Sequence, residues 1–157
     1  MSSQVEARIT ENNIVLPPAP EPAATYLPYR VHNNVVYISG QLPIWNGEPK
    51  YVGKLGKGFD VMTGQAAARL CGMNILAQLK DACDGDLDRV EACLRLGGFV
   101  NCTEEFTEMS GVMNGASELM TQVFGDEFGM HARAAVGVSS LPFGVTVEVD
   151  AVFALKA

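Results

Sequence analysis

The segment "VTVEVDAVF" (145–153) constrains the fold more tightly than any other part of the chain. Its odd positions are Val145, Val147, Val149, Ala151 and Phe153; its even positions include Thr146, Glu148, Asp150 and Val152. In a pleated strand, alternation of this kind puts the two sets on opposite faces. One face belongs to a core, and the other is semi-polar and carries two carboxylates. A charge among valines asks for a reason, and "HARAAVGV" (131–138) asks the same of Arg133, which opens a run of small apolar residues.

The rest of the chain reads as elements that could surround such a strand. The 157 residues suit one domain of ordinary size. "VLPPAPEPAAT" (15–25) holds four of the eight prolines and can be neither helix nor central strand. It predicts an extended arm, so residues 1–25 form an N-terminal segment and 26–157 the folded domain. "RVH" and "VVYIS" flank Asn33-Asn34, a pair suited to a hairpin turn. Asp60 can cap a helix over "VMTGQAAARLCGMNILAQLKDAC", in which Leu70, Met73, Leu76 or Ala77 and Lys80 recur at helical spacing. "RVEACLRLGGFV" alternates as a strand, with Val90, Ala92, Leu94 and Leu96 on one side. "SGVMNGASELMTQVFGDE" is a second helix whose Met113, Ala116, Met120 and Val123 form a core stripe. The order β-β-α-β-α-β-β predicts an α+β protein, a mixed sheet with two helices on one face.

Composition narrows the function. The net charge is −7 and the eleven basic residues are scattered, which argues against nucleic acid or an anionic membrane as partner. "MSSQVEARIT" lacks the apolar stretch of a signal peptide, and no run reaches transmembrane length. Cys71, Cys83, Cys93 and Cys102 are at least nine residues apart, so no C-x-x-C motif arises. These features predict a cytoplasmic location with reduced thiols. "YVGKLGKGFD" lacks the Gly-Lys-Ser/Thr of a phosphate loop and reads as a mobile surface loop. His32 and His131 have no metal-ligand partners nearby in sequence, Trp45 reads as a rim or core aromatic, and no nucleophile-base motif surrounds a Ser or Cys.

If "SSLPFG" joins antiparallel neighbours, residue 135 falls opposite 148 and 133 opposite 150. Arg133 and Glu148 then lie diagonally on one face, within reach of each other. An arginine fork binds a carboxylate, and a glutamate can hold or deprotonate a water. A plain intrasheet or intersubunit ion pair is the competing reading. The small residues Gly97, Ala135 and Gly137 make the same face a candidate for self-association.

Two motifs carry a family resemblance. "ARAAVGVSSLPFGVTVEV" has an arginine before small and apolar residues, then Leu-Pro, then an apolar-Glu-apolar triplet; "VVYISGQLP" is an apolar strand ending in Ser-Gly-Gln. Over residues 26–155 the chain resembles a longer branch of the Rid/YjgF/YER057c/UK114 family, the reactive-intermediate imine deaminases formerly called L-PSP endoribonucleases. The resemblance implies a chorismate-mutase-like fold and a homotrimer with sites in intersubunit clefts. It also implies roles. Arg133 would clamp a substrate carboxylate and Glu148 position the attacking water. Tyr26, Ser39, Gly40, Asn114 and the backbone N–H of Ala135 would bind substrate, with Tyr29 as competitor for the role of Tyr26. His131 stands where the family usually has Pro or Ala. No metal or cofactor is implied.

The expected activity is hydrolysis of enamine or imine intermediates of amino acids to 2-keto acids and ammonia. The alternatives are an endoribonuclease acting on single-stranded RNA and a non-catalytic protein that binds small carboxylates.

Overall fold

Asn33 and Asn34 adopt φ of 50° and 61°, the left-handed values of a two-residue hairpin turn. They join β1 (Tyr29–His32) to β2 (Val35–Gln41) in antiparallel register from Tyr29↔Ile38 to His32↔Val35. The computed structural model describes residues 3–22 and 24–157. After β2 come two small pairs: β3 (Ile44–Trp45) with β4 (Glu48–Pro49), and β5 (Lys54–Leu55) with β6 (Gly58–Phe59). The expected glycine-rich surface loop is therefore partly ordered, and Leu55 within it is fully buried.

α2 (Val61–Ala82) begins where expected, with the Asp60 carboxylate accepting from the Thr63 N–H at 2.9 Å. It buries Ala67, Ala68, Cys71, Ile75, Leu76 and Leu79, whereas Leu70 and Met73 are only half-buried. β7 (Val90–Asn101), α3 (Met109–Gly129), β8 (Ala132–Val138) and β9 (Val147–Leu155) complete the body. The stripe Met113, Ala116, Met120 and Val123 of α3 is wholly buried, as its spacing predicts.

The start of the chain adds a third helix, α1 (Gln4–Glu11). The Ser3 side chain accepts from Glu6 N–H at 3.1 Å, and the N–H groups of Gln4 and Val5 donate to the Asp88 carboxylate at 3.2 and 3.0 Å. Val5 and Ile9 join the main core. The proline stretch after it is extended, and Gln78 Nε2 donates to the Pro20 carbonyl at 2.7 Å. The sheet thus carries three helices rather than the two expected, because "QVEARITE" has the cap and the apolar pair of a short amphipathic helix.

The five-stranded sheet runs β1-β2-β9-β7-β8. All its pairs are antiparallel except β7–β8, which is parallel. This corrects the expected pairing of β8 with β9. α3 is a crossover helix between parallel strands, so β8 lies at the sheet edge beside β7. The "SSLPFG" segment carries the chain back past β7 to β9. β7 also departs from simple alternation: register shifts between Val90 and Ala92 and between Cys93 and Arg95 bring Val90, Cys93 and Leu96 to the core. Bulges of this kind reset which face a side chain joins.

Val147, Val149, Ala151, Phe153 and Leu155 pack under the helices, as the alternation of β9 requires. The opposite face carries Glu148, Asp150 and Val152, and through the register also Tyr37, Gly97 and Phe99. Among the described residues, no helix is long and apolar enough to cross a membrane.

Candidate active site in two halves

Register decides where the two charges fall. Leu96 pairs with both Arg133 on β8 and Ala151 on β9, and paired residues share a face. Arg133 therefore lies on the helix side of the sheet. Phe99 pairs with Glu148, which places Glu148 on the other side. The expected diagonal pair does not exist within one chain. Asp150, expected opposite Arg133, instead meets Arg95 at 3.4 Å. Ala135 and Gly137 share Arg133's face rather than that of Glu148.

Around Arg133, three residues of α3 are spaced one turn apart: Ser110, Asn114 and Ser117. Arg133 Nη1 donates to Asn114 Oδ1 at 2.9 Å and to Ser117 Oγ at 3.0 Å, and Nη2 donates to the Ser110 carbonyl at 3.2 Å. All three acceptors are neutral, and among the described residues no carboxylate forms an ion pair with Arg133. A guanidinium offers five N–H donors in a fixed plane. These three contacts hold that plane and leave Nε–H and one Nη2 hydrogen for a further acceptor. A second donor stands nearby. The Val138 carbonyl accepts from the N–H of Cys102, the residue that follows β7. Residues of a strand alternate in the direction of their N–H and C=O groups, so the N–H of Ala135 points out from the free edge of β8.

The other half gathers on β2 and β9. Ser39 and Gly40 lie at an irregularity between Ile38 and Gln41 in the β2–β9 ladder. A Cβ on Gly40 would stand 2.8 Å from Glu148 Cδ, so only glycine leaves room for the Glu148 carboxylate there. Burial first, and then the charge of Asp150, push the Glu148 carboxyl above its ordinary value. Ser39 Oγ donates to the Leu27 carbonyl at 2.7 Å and Ser39 N–H to the Pro28 carbonyl at 3.0 Å, which ties Leu27 and Pro28, the two residues after Tyr26, to this cluster. Tyr26 is 47 % exposed. Tyr29 is engaged elsewhere: its hydroxyl donates to Asp81 Oδ2 at 2.7 Å, a bond that raises it to about 12. Among the described residues, the Tyr26 hydroxyl has no such partner.

Of the predicted residues, Arg133, Asn114 and Ala135 come together at the β8 edge, and Ser39, Gly40 and Glu148 on the far face of the sheet; Tyr26 is one residue from Leu27, which Ser39 holds. Sequence reasoning missed Ser110 and Ser117, although the 110, 114, 117 spacing on a predicted helix was readable. It also missed the contacts of His131, which bonds to Ser117 and to the Gly129 carbonyl. Trp45 is half-buried in a surface groove with Tyr51 and Met73. Among the described residues no three His, Cys, Asp or Glu side chains gather as a metal-binding group. Cys71, Cys83, Cys93 and Cys102 are free thiols.

The fold and the two clusters define a protein of the chorismate-mutase-like type with an arginine at its sheet edge. The chain belongs to the YjgF family: residues 6–154 match the model described as "YjgF/chorismate_mutase-like, putative endoribonuclease". It is 46 % identical over 155 residues to "Protein TCP17" of Trypanosoma cruzi, covering 99 % of this chain and 96 % of that one. The crystal structure of protein Atu1372, of unknown function, from Agrobacterium tumefaciens is 44 % identical with a TM-score of 0.90, covering 97 % of this chain and 92 % of its own. RidA from the Antarctic bacterium Psychrobacter sp. PAMC 21119 is 27 % identical with a TM-score of 0.61, covering 87 % and 94 %.

Proposed function

We propose that the protein hydrolyses enamine or imine intermediates of amino acids to 2-keto acids and ammonia, in sites shared between the subunits of a homotrimer. The observation that carries this reading is Arg133, a guanidinium oriented by three neutral acceptors with donors to spare. A small carboxylate suits the remaining donors, and charge-assisted bonds of this geometry are among the strong ones. The N–H of Ala135 supplies a further donor at the same edge.

Glu148 would act on the opposite side of the substrate. Its carboxylate accepts a proton from a water as the water oxygen bonds to the imine carbon. The C=N electron pair goes to nitrogen, which takes up the proton held by Glu148. The carbinolamine hydroxyl then gives its proton, by way of the Glu148 carboxylate, to the amine nitrogen; the C–N bond breaks, ammonia leaves and the keto group remains. An imine carbon is already electrophilic, so positioning and general-base help supply the needed catalysis. Tyr26, Ser39, Gly40 and Asn114 would line the cleft.

Two strand spacings of about 4.8 Å and three residues of about 3.3 Å separate Arg133 from Glu148, on opposite faces. One small substrate cannot span that within a chain, which supports a site in which a second copy brings its Glu148 half to the Arg133 half. Tyr37 and Val136 stand exposed on the open face of the sheet, which suits burial against another copy. Free cysteines fit a reducing, cytoplasmic setting. The ribonuclease reading gains little from a chain of net charge −7.

The test is hydrolysis of freshly generated 2-iminopropanoate. Wild type should speed its decay, and Arg133→Ala should not. A wild type that leaves the spontaneous rate unchanged, yet binds 2-keto acids in calorimetry, would replace the enzyme by a carboxylate-binding protein.

A further inference from the structure

Ser117 accepts from Arg133 and meets a second partner on its other side. Its Oγ is 2.8 Å from His131 Nε2, while His131 Nδ1 is 2.7 Å from the Gly129 carbonyl oxygen. A carbonyl only accepts, so Nδ1 carries a hydrogen. In the neutral ring, Nε2 is then a lone pair and accepts the Ser117 O–H. With its hydrogen turned towards His131, Ser117 presents lone pairs to Arg133 Nη1 at 3.0 Å. The hydrogen bonds thus run in one direction, from Arg133 to Ser117 to His131 to Gly129. Ser117, His131 and Arg133 are each half-buried, and bonds in such a chain polarise one another.

The Gly129 anchor is itself constrained. Gly129 is buried at the end of α3, and a Cβ there would stand 2.8 Å from the Met120 carbonyl carbon and from Thr121 Cα. The carbonyl that selects the histidine tautomer therefore belongs to a closely packed turn and not to a free loop.

We infer that His131 is a positioning residue for the Arg133 clamp. By holding the Ser117 hydroxyl in one rotamer, it fixes the guanidinium plane on which carboxylate capture depends. The inference rests on the carboxylate-binding role proposed for Arg133, but its first readout does not need a ligand. In ¹⁵N-labelled protein, His131 should show a protonated Nδ1 and an unprotonated Nε2, and the side-chain N–H signals of Arg133 should be slowly exchanging. Ser117→Ala and His131→Ala should each broaden or shift those Arg133 signals.

The second readout is 2-oxopropanoate binding by calorimetry. Each single variant should weaken binding about ten-fold, the value of one charge-assisted bond. The double variant should be no weaker than Ser117→Ala alone, since both act through one hydroxyl. With 2-iminopropanoate, KM should rise while kcat holds, and His131→Gln, which keeps an acceptor at that position, should recover part of the loss. Unchanged Arg133 signals in His131→Ala, or additive losses in the double variant, would overturn the inference. Should wild type neither bind 2-oxopropanoate nor speed the decay of 2-iminopropanoate while the Arg133 signals respond as described, the proposed function falls and the positioning role stands.

Discussion

Arg133 and Glu148 point to opposite faces of one sheet, with β7 lying between their strands. Arg133 is braced against α3 by Ser110, Asn114 and Ser117. Glu148 is seated over Gly40. Each half has its own support within the chain, and neither half contacts the other.

The Glu148 seat predicts a clean loss of function at Gly40. A methyl group there would meet the end of a flexible side chain rather than backbone. Gly40→Ala should therefore displace the carboxylate and cut imine hydrolysis by an order of magnitude or more, since a misplaced reacting group costs about 10²-fold. Thermal unfolding should change little. A variant with full activity would mean that Glu148 does not act from this seat.

Asp150 raises Glu148 through its charge, which fixes the sign of a pH effect. A general base must be ionised, so activity should fall as pH drops through the raised value of Glu148. Asp150→Asn removes one of the two causes and should move that acidic limb to lower pH in kcat/KM profiles. A limb that stays put or moves up would contradict this. The same shift has a stability sign. A carboxyl raised in the folded state contributes stability below its unfolded value and loses it as pH rises through the folded one. Glu148→Gln should therefore match or exceed wild type in Tm at pH 8.

Gly115 offers a test of packing alone. A Cβ on it would stand 2.8 Å from the Gln65 carbonyl carbon and 2.9 Å from Gln65 Cα, so Gly115→Ala must push α2 and α3 apart. Overpacking of this kind costs about 1–3 kcal/mol, and each kcal/mol lowers Tm by roughly 2–4 °C in a chain of this size. Calorimetry should show a fall of about 2–12 °C. An unchanged Tm would mean the helices part without cost.

Much of this was legible in the sequence for stated physical reasons. Period-2 alternation identified the buried face of β9, Asn33-Asn34 the hairpin, Asp60 the cap and the methionine spacing the core face of α3. The pairing of β8 is hidden because a segment as short as "SSLPFG" has the length of a hairpin loop. The helix between β7 and β8 was the better guide, since a helix joining two strands favours a parallel crossover. The faces of β7 were hidden by its bulges, which leave no fixed mark in sequence. The Ser110, Asn114 and Ser117 stripe was legible by spacing but had no partner until β8 was placed beside β7.

Mixed subunits test the central claim most directly. Arg133→Ala and Glu148→Ala chains should each be inactive towards 2-iminopropanoate. Refolded together in equal amounts, with mixed assemblies verified by native mass spectrometry, they should regain activity. Half the chains then carry an intact arginine and half of the facing chains an intact glutamate, so about one site in four is whole. Recovery near a quarter of wild type is the predicted result. No recovery in verified mixed trimers, or a wild type that is a stable monomer, would contradict a site built from Arg133 of one copy and Glu148 of another.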